Sequence, residues 1–226
     1  MNSYYTDRLA AERLLRVYEI APPRIRQYLD AEVAHVLGGI RRGDTVLELG
    51  CGYGRVLAQL AVKAGRTIGI DTSLASLRLG QGLLDRCGNC RLICMDATRL
   101  GFRDQTFDLV ACIQNGISAF HCDERQLVGE AIRVTRSGGT VLFSTYSPKF
   151  WADRLKWFEL QSEAGLLGEI DNARTGDGVI ACKDGFTGRA VKPERFLALA
   201  KELGVHATIL EIDESSIFCE IAVGGI

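Results

Sequence analysis

The chain has 226 residues, a net charge of −1 at neutral pH, and 47% apolar against 24% charged side chains. This balance is typical of one substantial globular domain and excludes a disordered or fibrous chain. No basic stripe is present, which disfavours nucleic acid as a partner. No apolar run is long enough to span a bilayer, and the amino terminus lacks the apolar core of a signal peptide. We therefore expect a cytoplasmic protein with no membrane partner.

The cysteines are numerous, eight in all, and in a cytoplasmic chain we expect them to be reduced thiols. Cys87 and Cys90 have the spacing of a zinc ligand pair. A zinc site needs a second pair, or histidines at a matching spacing, and the sequence provides neither. No metal is therefore predicted.

The amino-terminal 39 residues predict a helical cap made of two helices. Apolar residues recur at helical spacing from 14 to 21 in the first helix and from 25 to 40 in the second. The second helix begins after Pro22 and Pro23 and ends near Gly38 and Gly39, which are ordinary start and stop signals. His35 falls within it and is interpreted as structural, as is His206.

Apolar segments then alternate with helices as far as residue 146. Helices are predicted at 55–63, 73–85 and 123–135, with Ser73 and Asp123 as N-caps. The strands are predicted at 44–49, 66–70, 90–95, 107–113 and 140–145. Strands that are apolar on both faces and separated by helices indicate a parallel sheet covered on both sides.

The last 80 residues depart from this alternation. An aromatic-rich helix is predicted at 150–165, a hairpin at 178–191, a helix at 193–203, and strands at 207–212 and 217–223. A final strand pair joined by a short turn must be antiparallel. We therefore predict an α/β fold with a doubly wound, mostly parallel seven-stranded Rossmann-like sheet and an antiparallel C-terminal edge. Residues 1–39 form the cap, and 40–226 form the main domain with an insertion at about 147–192.

The strongest motif in the chain is Glu-Leu-Gly-Cys-Gly-Tyr-Gly, which runs from Glu48 to Gly54 at the end of the first strand. Glycine permits a sharp turn and the close approach of a ligand, and the helix that follows offers free amide hydrogens. Ligands of such sheets bind at the carboxyl ends of the strands. A dinucleotide site would place its third glycine at position 55, which is Arg55.

This motif resembles the first motif of class I S-adenosylmethionine-dependent methyltransferases. The resemblance continues in register through Asp71 after the second strand, through Asp96 and Ala97 after the third, and through the turns that lead into the fourth and fifth strands. It covers residues 40–146 and implies S-adenosyl-L-methionine as the cofactor. Taken one at a time, these residues have an alternative interpretation: Asp71 as a helix cap, Asp96 as a turn residue and the glycines as turn formers.

The resemblance also implies the roles of the cofactor-binding residues. Asp71 would accept the ribose hydroxyls, Asp96 would meet the adenine amino group, and Glu48 would orient the loop and the methionine end. The full predicted set is Glu48, Gly50, Gly52, Gly54, Arg55, Asp71, Thr72, Asp96, Ala97 and Gln114.

The catalytic candidates are Asn115, His121 and Tyr146, which follow the fourth and fifth strands. The segment after the fourth strand is similar to that of glycine N-methyltransferase-like enzymes, which act on small amines. A base is needed only if the acceptor arrives protonated. Asn115 is also compatible with a simple turn, and His121 with a surface loop.

Two aromatic regions are candidates for covering the ligand. Tyr4 and Tyr5 would fold over the cofactor as a lid, or fray with the terminus. The helix that carries Phe150, Trp151, Trp157 and Phe158 would cover an acceptor, or pack on the sheet edge.

The predicted function is methyl transfer from S-adenosylmethionine to a nitrogen or oxygen atom of a small-molecule acceptor. The alternatives are a methyltransferase for RNA or protein, a nicotinamide-dependent oxidoreductase, and a non-catalytic nucleotide-binding protein with a Rossmann-like fold. The acceptor's identity stays open, and a homodimer is one option for the assembly.

Overall fold

The structure is a computed structural model that describes residues 4–224. Its centre is a seven-stranded sheet with the strand order β3-β2-β1-β4-β5-β9-β8. The strands of the described chain are β1 (Thr45–Leu49), β2 (Arg66–Asp71), β3 (Cys90–Cys94), β4 (Phe107–Cys112), β5 (Thr135–Tyr146), β6 (Val179–Ala181), β7 (Thr187–Arg189), β8 (Ala207–Ile212) and β9 (Ser216–Ala222). Strands β1 to β5 pair in parallel, and β9 pairs antiparallel with both β5 and β8. The predicted sheet and its antiparallel edge are confirmed.

Helices cover both faces of the sheet and one end of it. They are α1 (Tyr4–Asp7), α2 (Glu12–Glu19), α3 (Pro23–Gly39), α4 (Arg55–Leu60), α5 (Leu74–Leu84), α6 (Gly116–Ala119), α7 (Glu124–Val134), α8 (Trp151–Glu163) and α9 (Pro193–Glu202). Ser73 caps α5 by accepting the Ser76 amide, and Asp123 caps α7 by accepting two amides. Both caps are as predicted. No helix within residues 4–224 has the length and apolar character needed to cross a membrane.

Several elements differ from the prediction. The short helix α1 precedes the two expected helices, and α4 ends at Leu60. Strand β5 begins at Thr135, five residues before the predicted start, because Thr135 already pairs with Phe107. The register then shifts before Leu109 pairs with Thr140, so the Gly138–Gly139 turn signal lies inside an irregular strand.

The cap and the insertion share an apolar core although more than a hundred residues separate them in the chain. This roof core joins buried side chains of α2 and α3 to those of α8 and the β6–β7 hairpin. Its buried members include Val17, Tyr28, Trp157, Phe158 and Phe186. The later part of α3 packs instead under the sheet. The domain boundary at residue 39 stays a prediction.

The prediction of reduced thiols is wrong for one pair of cysteines. Cys87 and Cys90 form a disulfide in the connection from α5 to β3, with their Cα atoms 5.5 Å apart. The tight turn brings the two thiols close enough to form a bond. The spacing of the two cysteines in the sequence does not show this.

Candidate active site

The glycine-rich loop connects β1 to α4 through three residues in the left-handed region. Gly50, Gly52 and Gly54 have φ values of +75°, +55° and +82°. A side chain at these positions would strain the backbone, so glycine is required for the path of the loop. The amides of Gly50 and Cys51 both donate to the Ile70 carbonyl at 2.9 Å, which ties the loop to β2.

Asp71 joins the glycine-rich loop to the start of α5. One carboxylate oxygen accepts the Gly52 amide at 2.9 Å, and the other accepts the Ser73 amide at 2.8 Å. Burial raises the pKa of Asp71, while these amides favour its charged form. Each oxygen has a second lone pair, so the carboxylate can hold the loop and still accept hydrogen bonds from a ligand.

Helix α5 packs directly on this loop through Gly80. A Cβ at that position would lie 2.6 Å from the Tyr53 carbonyl oxygen and 2.8 Å from a Leu92 methyl group. A Cβ at Gly82, on the same helix, meets no atom of the described residues within 4 Å. The close approach at Gly80 therefore sets the distance between α5 and the loop.

These two glycines make a matched pair for substitution. We expect Gly80→Ala to lower the free energy of unfolding by about 1–3 kcal/mol, because the loop or the helix must move. Gly82→Ala should raise it by about 0.5–1 kcal/mol, because alanine restricts the unfolded chain without a clash. Urea unfolding of both variants measures the contrast. Equal effects would contradict the packing described at Gly80.

A cavity of about 410 Å³ opens at the carboxyl ends of the parallel strands. Its floor comes from the glycine-rich loop and the ends of β1 to β4, and its roof comes from the cap and α8. Ten of the thirteen predicted site residues line it. They are Glu48, Gly50, Gly52, Arg55, Asp71, Thr72, Asp96, Ala97, Gln114 and Tyr146.

The other three predicted residues lie outside the cavity lining. Gly54 shapes the loop from behind, since a Cβ there would lie 2.7 Å from Leu84. The Asn115 amide is occupied: its nitrogen donates to the Arg189 carbonyl, and its oxygen accepts the Thr145 hydroxyl. His121 is exposed. The catalytic roles of Asn115 and His121 stay predictions.

Tyr146, the remaining catalytic candidate, does line the cavity. Burial raises the pKa of its phenol to about 12, although the nearby Arg154 guanidinium has the opposite effect. The phenol is therefore protonated at neutral pH. It can donate a hydrogen bond, but it is poorly suited to remove a proton.

Glu48 and Arg55 bring an acidic and a basic side chain to the floor of the cavity. Burial raises the pKa of Glu48 to about 8, while Arg55 opposes this effect. One Arg55 nitrogen donates to the Gln114 side-chain oxygen at 2.6 Å, and the guanidinium lies 4.2 Å from the centre of the Tyr18 ring. Glu48 Oε2 and Arg55 Nε are buried without a hydrogen-bond partner among the residues described. A buried polar atom without a hydrogen-bond partner destabilises the fold. The Glu48 oxygen therefore suits a cationic group of a ligand, and the Arg55 nitrogen suits an anionic group.

Gln114 is held in an unusual conformation at the end of β4. Its φ is +57°, and that of Asn115 is +60°. The Gln114 amide donates to Glu32 at 2.6 Å and to Ser144 Oγ at 2.8 Å, which holds the strained turn in place. This turn directs the segment after β4 across the floor of the cavity.

Glu32, Tyr18, Tyr28 and Gln161 were missed as site residues, although each contacts the cavity or supports it. Glu32 is fully buried on the apolar face of α3, where it accepts hydrogen bonds from Ser144, Ser216 and the Gln114 amide. Gln161 is buried on the aromatic face of α8. A polar residue at an apolar helix position was the available signal in both cases.

Tyr4 and Tyr5, the predicted lid, pack against the roof core. Tyr5 lines the cavity, and the Tyr4 hydroxyl donates to Asp184 of the β6–β7 hairpin at 2.6 Å. Trp157 and Phe158 also line the cavity. Phe150 packs in the roof core, and Trp151 packs against that core.

Comparison with known proteins gives one family match. Residues 46–139 match the model of a family described as a methyltransferase domain. A demethylmenaquinone methyltransferase of Thermobifida fusca is 35% identical over 127 residues, which cover 55% of this chain and 52% of that protein. A malonyl-[acyl-carrier protein] O-methyltransferase of Marinomonas is 32% identical over 130 residues, 55% of this chain and 46% of that protein. The chain thus spans about half the length of these relatives.

Solved structures share the whole fold at low sequence identity. The PH0226 protein of Pyrococcus horikoshii is 20% identical with a TM-score of 0.66, covering 97% of this chain and 95% of that chain. A methyltransferase of Aquifex aeolicus is 13% identical with a TM-score of 0.63, covering 92% and 96%. The match at residues 46–139 thus identifies this segment as a methyltransferase domain, and its glycine-rich loop and Asp71 are similar to those of class I S-adenosylmethionine-dependent methyltransferases.

Proposed function

We propose that the chain transfers the methyl group of S-adenosylmethionine to a nitrogen or oxygen atom of a small-molecule acceptor. The observation that carries this proposal is that one cavity combines two kinds of wall. The glycine-rich loop, Asp71, Glu48 and Arg55 line its floor, and aromatic side chains line its roof. A polar, charged floor suits the cofactor, and an apolar roof suits a second molecule beside it.

The floor residues have the chemistry that the cofactor needs. Asp71 would accept the ribose hydroxyls, and Asp96 would face the adenine amino group. The unpaired Glu48 oxygen would accept the ammonium, and the unpaired Arg55 nitrogen would donate to the carboxylate. When bound, S-adenosylmethionine supplies a methyl group already activated by a sulfonium. The chain's part is then to position the acceptor and to exclude water.

The enclosed roof supports a small acceptor. Side chains from α1, α2, α3 and α8 close over the cavity, which leaves little room for a folded RNA or protein. The names of the relatives point the same way, because they include a demethylmenaquinone methyltransferase and a phosphoethanolamine N-methyltransferase. The net charge of −1 also disfavours an RNA substrate.

The test follows a labelled methyl group into separated fractions. Purified protein is incubated with methyl-labelled S-adenosylmethionine and with small-molecule, RNA and protein fractions of a cell extract, and Asp71→Ala serves as the background. We expect the label in the small-molecule fraction. Label in RNA or protein would favour those substrates instead. Binding of S-adenosylhomocysteine with no transfer to any fraction would favour a non-catalytic protein.

Cofactor binding should release a proton because of Glu48. Its pKa of about 8 means that the carboxyl is protonated in the free protein at about pH 6.5, whereas pairing with an ammonium would lower that pKa. We expect calorimetry in two buffers of different ionisation enthalpy to show the release of about one proton in the wild type. Glu48→Gln should release none. The same proton release in both proteins would remove Glu48 from this role.

A further inference from the structure

The roof of the cavity carries chemistry of its own, which bears on the acceptor. Its aromatic walls include Tyr18 and Trp157, whose ring centres are 6.4 Å apart, and Tyr28 and Tyr146, whose ring centres are 5.4 Å apart. All four residues line the cavity. Flat aromatic walls favour a planar ring over a flexible chain, because rings stack in offset or edge-on arrangements.

Two of these rings already face cations of this chain. The Arg55 guanidinium lies 4.2 Å from the centre of the Tyr18 ring, and the Arg154 guanidinium lies 4.2 Å from that of Tyr146. An aromatic cage binds an ammonium ligand through the faces of its rings. Here a guanidinium already lies over each of these two rings, which disfavours a second cation beside them.

Arg154 strengthens this positive field because it is buried and lacks a carboxylate partner. Only 1% of the residue is exposed, and its nitrogens donate to the Gly178 and Gly188 carbonyls. No salt bridge to it occurs within residues 4–224. Burial raises the pKa of Glu32, the nearby acid, to about 7, so its carboxyl carries only part of a negative charge at neutral pH. The field at the roof therefore favours an electron-rich oxygen.

Two roof residues that line the cavity carry a buried polar group without a hydrogen-bond partner in the part of the chain that the structure describes. The groups are the Gln161 amide nitrogen and the Tyr28 hydroxyl, and the two residues are 2% and 0% exposed. An amide nitrogen only donates, so its partner must be an acceptor atom. Leaving such a donor unpaired costs about 1–3 kcal/mol, which an oxygen atom of a ligand would recover.

We propose, resting on the proposed function, that the acceptor is an aromatic ring with at least two oxygen substituents, and that Gln161 and Tyr28 determine its specificity. One oxygen accepts hydrogen bonds from these two residues. A second ring oxygen enters the cavity as a phenolate, its proton having passed to the solvent, and forms the bond to the methyl carbon. The carbon–sulfur bond breaks with its electrons on sulfur, so the sulfonium becomes a neutral thioether and charge balances.

The test measures binding to protein loaded with S-adenosylhomocysteine, by calorimetry and by quenching of tryptophan fluorescence. Catechol and hydroquinone are the probes, with phenol as the single-oxygen control and benzylamine as the cationic counterpart. We expect catechol or hydroquinone to bind more tightly than phenol, and benzylamine not to bind. Gln161→Leu should weaken the binding of the better probe about tenfold, the effect of losing one hydrogen bond.

Control variants separate this inference from a general loss of structure. Gln126→Leu, an exposed glutamine on α7, should leave binding unchanged. Gln161→Glu replaces the amide donor with a carboxyl and should shift preference toward benzylamine. All variants should keep the affinity of the wild type for S-adenosylhomocysteine.

Each other outcome has a distinct meaning. Failure of S-adenosylhomocysteine to bind the wild type would sink the proposed function itself. If S-adenosylhomocysteine binds, three results would overturn only the acceptor assignment. They are binding of benzylamine alone, binding of neither catechol nor hydroquinone, and undiminished binding of the better probe by Gln161→Leu.

Discussion

Asp71→Ala is expected to weaken the binding of S-adenosylhomocysteine by about 2–4 kcal/mol, or roughly 30- to 1000-fold in Kd. The proposed pairing of the carboxylate with the ribose hydroxyls accounts for most of this loss, since hydrogen bonds to a charged group are the strong ones. The structure adds a second cause, because the same carboxylate holds the amides of Gly52 and Ser73. Calorimetric titration measures the change.

Asp85→Ala is the matched control for this experiment. Asp85 is an exposed aspartate that follows α5, the helix that Ser73 caps. Its removal should leave the Kd unchanged. Urea unfolding of both variants separates a lost ligand contact from a lost fold. An unaltered Kd in Asp71→Ala would contradict the placement of the ribose.

Glu32→Ala is expected to lower the free energy of unfolding by about 2–5 kcal/mol. Glu32 links α3 to the strained turn at Gln114 and to β5 and β9 through Ser144 and Ser216. Both serines are fully buried, so the variant leaves two hydroxyls without this partner. Asp30→Ala, an exposed position on the same helix, should change stability by less than about 0.5 kcal/mol. Similar small losses in both variants would contradict the role of Glu32.

The charge of Glu32 also predicts how stability depends on pH. Burial raises its pKa from the ordinary 4.5 to about 7 in the fold, so the native state holds a proton that the unfolded chain releases. Its contribution is therefore complete below about pH 4.5 and is lost as the pH rises through 7. Relative to Glu32→Gln, which carries no titrating proton, the wild type should lose stability across this window. Parallel pH profiles of the two proteins would show that Glu32 does not titrate there.

The sequence predicted the floor of the site better than the roof. The glycine pattern and Asp71 lie within a few residues of strand ends, and local backbone chemistry determines where such residues go. The αL path at Gly50, Gly52 and Gly54 follows directly from their lack of a Cβ. The resemblance to methyltransferases adds the expected roles of these residues toward the cofactor, which are proposals.

The roof could not be predicted in the same way, because it is formed by contacts between segments that are distant in the sequence. Tyr28 and Gln161 line the same cavity because α3 and α8 pack together, although more than a hundred residues separate them in the chain. Asn115 was predicted from its place after β4, and the hydrogen bonds of its amide with Thr145 and the Arg189 carbonyl could not be read from the sequence. The disulfide at Cys87 was missed for the same reason, since bonding depends on turn geometry rather than spacing.

The roof core lies almost entirely outside residues 46–139, the part of the chain that matches the family model. Substitutions on α3, on α8 or in the β6–β7 hairpin can therefore alter the shape and polarity of the roof without disturbing the glycine-rich loop and Asp71. Acceptor preference and cofactor affinity should thus be separable by engineering. Exchanging the roof segments as a pair, rather than singly, would preserve the packing that they share.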